Sequence, residues 1–79
     1  MAEQIDIVAT VEKNYGVGLP ELQSPSRSLR FVRARSALVY LYRRNTGLTL
    51  AEVGRILGGR TPATVRNLWD IYLRENKGK

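Results

Sequence analysis

Two helix-start signals flank a pair of glycines between Thr49 and Thr64, and no other stretch constrains the fold so tightly. Thr49-Leu50-Ala51-Glu52 has the form of a capping box. In that motif the Thr49 hydroxyl accepts from the Glu52 N–H, and the Glu52 side chain reaches back to the Thr49 N–H. The helix it opens is short, about Leu50 to Leu57, with Leu50, Val53 and Leu57 on one face. Gly58-Gly59 stops it. Thr61 then caps another helix, about Pro62 to Glu75, with Pro62 at a first position where its missing N–H costs nothing. A short capped helix, a glycine turn and a second helix make a helix-turn-helix candidate. Spacing alone leaves a plain antiparallel helical hairpin equally open.

The rest of the chain also reads as helix. Ile5, Val8, Val11 and Tyr15 recur at helical spacing and predict a helix over residues 3–15, ended by the left-handed freedom of Gly16 and Gly18. Leu19-Pro20-Glu21-Leu22 predicts a single turn with Pro20 at its first position. Ser24-Pro25-Ser26-Arg27-Ser28 is a polar loop. A long helix follows from about Leu29 to Asn45, with Gly47 suited to the residue just past its end. Apolar residues occupy most of its circumference near the middle, so it should be the central and most buried helix. Val65, Leu68, Trp69, Tyr72 and Leu73 form the apolar stripe of the last helix, and residues 76–79 should fray. The expected fold is all-α: a small helical bundle containing a helix-turn-helix, in one domain over residues 1–79.

Charge narrows the partner. Lys and Arg number 13 against 7 Asp and Glu, a net charge of +6 on 79 residues. Such an excess points to a polyanion, with double-stranded DNA the first candidate and an anionic membrane surface the second. The chain has neither Cys nor His. That removes thiolate metal sites, the commonest metal ligand and the commonest general base. The acidic residues form no recognisable catalytic pair. No cofactor, metal, small-molecule substrate or membrane span is therefore expected, nor any enzymatic chemistry. Residues 1–6 lack the basic and apolar regions of a signal peptide, which fits a cytoplasmic setting.

Removing the apolar stripe from the last helix leaves Thr61, Ala63, Thr64, Arg66, Asn67, Asp70 and Arg74 outward. Of these, Thr61, Thr64, Arg66 and Asn67 are the candidate groove contacts. Asn67 is suited to two hydrogen bonds with adenine, and Thr64 to a base edge or a thymine methyl. Arg27, Arg30, Arg33 and Arg35 cluster at the loop and the start of the long helix. With Arg60, they are candidates for phosphate or minor-groove contacts, because a guanidinium matches phosphate geometry. The bland alternative is a solvated basic face. Tyr40, Tyr42, Trp69 and Tyr72 are read as core at helical spacing, against a stacking platform for single strands. Gly54 and Gly58 stand in a small-residue spacing read as close packing.

The run Val32-Arg33-Ala34-Arg35-Ser36-Ala37, then Tyr40-Leu41, Thr46-Gly47-Leu48-Thr49-Leu50-Ala51-Glu52-Val53-Gly54-Arg55, Gly58-Gly59-Arg60 and Thr64-Val65 resembles the C-terminal DNA-binding domain of the bacterial replication initiator DnaA. Nearly the whole chain is covered without gaps. The resemblance implies a Trp-repressor-like helix-turn-helix bundle whose basic loop enters the minor groove beside the recognition helix, in a bacterial nucleoid setting. It assigns Arg27 and Arg30 to the basic loop, Arg33 and Arg35 to the start of the long helix, and Thr61 to Thr64 to the start of the recognition helix. Here the chain departs, because the family typically has Asp-His-Thr-Thr where this sequence has Thr61-Pro62-Ala63-Thr64. The fold and the phosphate grip should carry over, and the target sequence should not. Leu38 to Leu48 also resembles the helix-turn-helix tails of some transposases of repetitive bacterial elements. An adaptor that kept the fold while losing its base readers is the alternative from another class. The oligomeric state is left open.

Overall fold

The computed structural model describes residues 6–76 as five helices: α1 (Ile7–Tyr15), α2 (Leu19–Leu22), α3 (Leu29–Asn45), α4 (Leu50–Ile56) and α5 (Pro62–Glu75). Each start has a local cause. The Asp6 carboxylate accepts from the Ala9 N–H at 3.0 Å and so opens α1, while residues 3–5 of the expected first helix lie outside the described residues. Leu19, not Pro20, is the first residue of α2, and Glu21 Oε1 accepts from the Gly18 N–H at 3.0 Å. Ser28 caps α3, with its hydroxyl accepting from the Phe31 N–H. Both halves of the capping box at α4 are formed, Glu52 N–H to Thr49 Oγ1 at 3.2 Å and Thr49 N–H to Glu52 Oε1 at 2.8 Å.

The stops differ more from expectation. Gly16 is left-handed at φ +69°, but Gly18 sits at φ −86° and needs no glycine for its conformation. Gly47 is not left-handed either. Thr46 ends α3 in an extended conformation, its Oγ1 donating to the Tyr42 carbonyl at 2.6 Å, and Asn45 Nδ2 donates to the Leu41 carbonyl. Side chains here satisfy the carbonyls that a glycine cap would otherwise leave to backbone amides.

α3 is the central helix, packed against α1, α2 and α5, while α5 also packs on α4. Ala34 through Val39 are all buried, so both sides of its middle face protein. One core gathers Ile7 and Val11 of α1, Val17, Leu22 of α2, Ala34, Leu38 and Val39 of α3, Val53 of α4, Leu57, and Val65 and Leu68 of α5. Burying each such Leu or Val contributes about 1.5–3 kcal/mol. Leu73, expected on the α5 stripe, is 45% exposed, and Ile71 packs half-buried against the core instead. Tyr40 of α3 stacks on Trp69 and Tyr72 of α5, with ring centroids 5.5 and 4.3 Å away. The rings therefore meet one another across the α3–α5 interface, which draws the two helices together.

Candidate nucleic-acid interface

The turn between α4 and α5 is built around Gly54. Its carbonyl accepts from both the Gly59 and the Arg60 N–H, at 2.9 and 3.0 Å. Gly58 and Gly59 take φ of +83° and +95°, a region that disfavours side-chain-bearing residues. A Cβ on Gly54 would stand 2.1 Å from the Arg60 carbonyl oxygen, so only glycine lets the chain fold back this tightly. The turn directs the chain into Thr61, whose Oγ1 accepts from the Thr64 N–H at 3.3 Å and opens α5.

Thr61, Thr64, Arg66 and Asn67 are all exposed on or beside α5. Thr61 differs from the other three, because its hydroxyl serves the cap and also donates to Thr64 Oγ1 at 3.1 Å. It orients Thr64 and holds no free hydrogen for a base edge. No acidic residue stands in the first turn of α5.

The five arginines separate. Arg27 is exposed and makes no hydrogen bond or ion pair among the described residues. Arg30 donates to the Gly16 carbonyl at 2.9 Å while its guanidinium lies 5.9 Å from the Phe31 ring centre. Arg33 pairs with Glu75 at 3.4 Å across a solvated edge of α3 and α5, an ion pair of small energetic weight. Both are exposed.

Arg35 corrects the sequence expectation. It is 4% exposed, and its guanidinium donates to the carbonyls of Leu22 (2.8 Å), Ser26 (2.7 Å), Ser24 (2.7 Å) and Glu21 (3.3 Å). It therefore holds the basic loop from inside and has no surface for a phosphate. Burial, and secondarily the charge of Arg60, lowers its pKa, yet arginine remains charged at neutral pH. Periodicity gave no warning, since an arginine on an α-helix reads as solvated until its acceptors are known.

Arg60 does similar work from the other side. Its guanidinium donates to the Leu57 carbonyl and, at 2.7 Å, to the Ser24 carbonyl. Gln23, unnoticed in the sequence, donates from Nε2 to the Ile56 carbonyl at 2.8 Å and lies against Gly58. The loop after α2 is thereby fastened to the turn of the motif. Arg43 and Arg66 line one shallow groove with Leu50, Trp69 and Asp70, which places Arg66 beside a second cation. The exposed large hydrophobic side chains among the described residues are Leu29 and Leu73. No helix there is long and apolar enough to cross a membrane, and no metal-holding group of acidic residues forms among the described residues.

The chain is similar to chromosomal replication initiator proteins. It is 37% identical over 60 residues to the chromosomal replication initiator protein DnaA of Herpetosiphon aurantiacus, covering 76% of this chain and 13% of that protein. It is 30% identical over 78 residues to that of Kosmotoga olearia, covering 99% and 17%. It is 41% identical over 59 residues to that of Roseiflexus castenholzii, covering 75% and 12%. The chain thus spans less than a fifth of the length of these relatives. No solved structure matches it. The family model described as the bacterial DnaA protein helix-turn-helix matches residues 5–70, and the chain belongs to that family.

Proposed function

We propose that this chain binds double-stranded DNA without performing chemistry on it, with α5 in the major groove and the Arg27 loop on the adjoining backbone or minor groove. Thr64, Arg66 and Asn67 are the base-facing residues in this reading, and Arg27, Arg30, Arg33 and Arg60 supply positive charge to phosphates. The observation that carries it is the double fastening of the segment Gln23–Ser28, by Gln23 to the end of α4 and by Arg60 to the turn before α5. A basic loop held rigidly beside a recognition helix can grip the backbone while the helix reads the groove. Family membership and the +6 charge support the same partner.

The preferred site differs from the DnaA box in this reading, because Thr61-Pro62-Ala63 carries neither a carboxylate nor an imidazole where the family has Asp-His-Thr, and the Thr61 hydrogen is already used. Each missing base contact removes about 1–3 kcal/mol of discrimination. An adaptor role is less well supported. Trp69 and Tyr72, the centre of the apolar patch it would need, are half-buried and stacked on Tyr40.

Titration of a fluorescent duplex at several salt concentrations tests the proposal. With about four phosphates neutralised, log affinity should fall against log salt with a slope of roughly −3 to −4. A slope near zero, or no binding at low salt, overturns it.

A further inference from the structure

The exposed surface that α5 would carry into a groove begins with Pro62, Ala63 and Thr64. Its hydrogen-bonding capacity can be counted. The Thr61 hydroxyl accepts from the Thr64 N–H and donates to Thr64 Oγ1, so its hydrogen is used. Thr64 Oγ1 already accepts that bond, and its own hydrogen is left as a donor. Beyond that hydrogen and one spare lone pair on each hydroxyl oxygen, the rest of this surface is apolar: the Pro62 ring, the Ala63 methyl and the Thr64 methyl. There is no carboxylate in this turn to accept from a cytosine amino group. Among major-groove features, an apolar surface with one hydroxyl donor is complementary to the 5-methyl group of a pyrimidine, with the donor left for thymine O4 or a neighbouring purine N7.

We infer that this face of α5 reads pyrimidine 5-methyl groups in the major groove, so that thymine and 5-methylcytosine are accepted ahead of uracil and cytosine. The inference rests on the reading of α5 as the recognition helix and names what that helix recognises. Pro62 and Ala63, absent from the sequence-level set of contact residues, become determinants of specificity. Asn67, exposed further along α5, supplies an adenine reader compatible with A·T-rich duplex.

The test uses four synthetic duplexes of equal length at one low salt concentration: alternating dA–dT, alternating dA–dU, alternating dG–dC, and dG–dC with every cytosine 5-methylated. Each pair differs in the major-groove methyl and leaves the phosphates and hydrogen-bonding edges in place. Burying one methyl favours binding by about three- to fivefold, so the methylated member of each pair should bind at least that much tighter. Thr64→Ser keeps the hydroxyl and its bond to Thr61 but lacks the methyl, and Ala63→Gly lacks the other. Both variants should shrink the preference while leaving the salt slope unchanged, which a general loss of folding would not do. Equal affinity within both pairs, or a preference that survives both variants, overturns the inference and leaves duplex binding standing. Failure to bind any of the four at low salt overturns both.

Discussion

Arg35 and Arg60 converge on a single acceptor, the carbonyl oxygen of Ser24, which takes an Nη2–H from each at 2.7 Å. One arginine comes from the middle of the central helix and the other from the residue before the α5 cap. The two like charges are tolerated because their remaining donors go to four other carbonyls, those of Leu22, Ser26 and Glu21 for Arg35 and that of Leu57 for Arg60. The loop that carries Arg27 is thus registered against both the core and the turn of the motif.

Arg35→Ala should therefore be a stability variant before it is a binding variant. Removing the guanidinium leaves several partly buried carbonyls without donors, at a cost of about 3 kcal/mol or more. Arg35→Lys should recover little, since an ammonium cannot spread its donors across this fan of acceptors. Urea unfolding of both variants measures it, and a midpoint near wild type for Arg35→Ala would show that the four bonds carry little weight.

Arg27→Ala should behave in the opposite way. Its side chain is exposed and unpaired among the described residues, so unfolding should shift by no more than about 0.5 kcal/mol. If Arg27 neutralises one phosphate, the salt slope should become shallower by about 0.9. Parallel unfolding and salt titrations on the one variant separate these effects, and an unaltered slope would remove Arg27 from the interface.

The capping box gives a pH dependence with a definite sign. Hydrogen bonds from the Thr49 backbone and side chain hold the Glu52 carboxyl below its ordinary value of 4.5. A carboxylate favoured in the folded state stabilises above its unfolded pKa, and that contribution is lost as pH falls through the lower folded value. The stability difference between wild type and Glu52→Ala should be constant near neutrality and shrink below about pH 4.5. Thr49→Ala should cost about 0.5–2 kcal/mol at neutral pH. A difference that is flat down to pH 2 would mean that Glu52 is not held by its cap.

Gly54→Ala should be more damaging than Gly59→Ala. The added Cβ at Gly54 meets the Arg60 carbonyl at 2.1 Å, whereas at Gly59 it meets nothing within 4 Å and only the positive φ is strained. Roughly 1–2 kcal/mol is expected for Gly59→Ala from the left-handed backbone. Gly54→Ala should exceed it and also weaken DNA binding among the molecules that remain folded, because the turn that aims α5 must open. Thermal unfolding and duplex binding on both variants would show the order, and a reversed order would contradict the close approach.

The sequence by itself determined the all-α fold, the bounds of α3 and α5, the capping box that starts α4 and the cap that starts α5. These depend on near neighbours: apolar spacing, a hydroxyl three residues before its amide, a proline at a first helical position. Motif resemblance determined the family. Only the tertiary structure decided which arginines can reach a partner, because Arg27 and Arg35 look alike in sequence and differ wholly in their surroundings. The acceptors of Arg35 lie at the end of α2 and in the loop before α3, and one of them is shared with Arg60 from beyond α4. Gln23 carries no local signal and Leu73 reads as core for the same reason, since a long-range hydrogen bond and the end of a packed face depend on which segments meet in space. Local physics writes helices into a sequence, while burial and long-range carbonyl partners divide one basic cluster into a fastening and a surface.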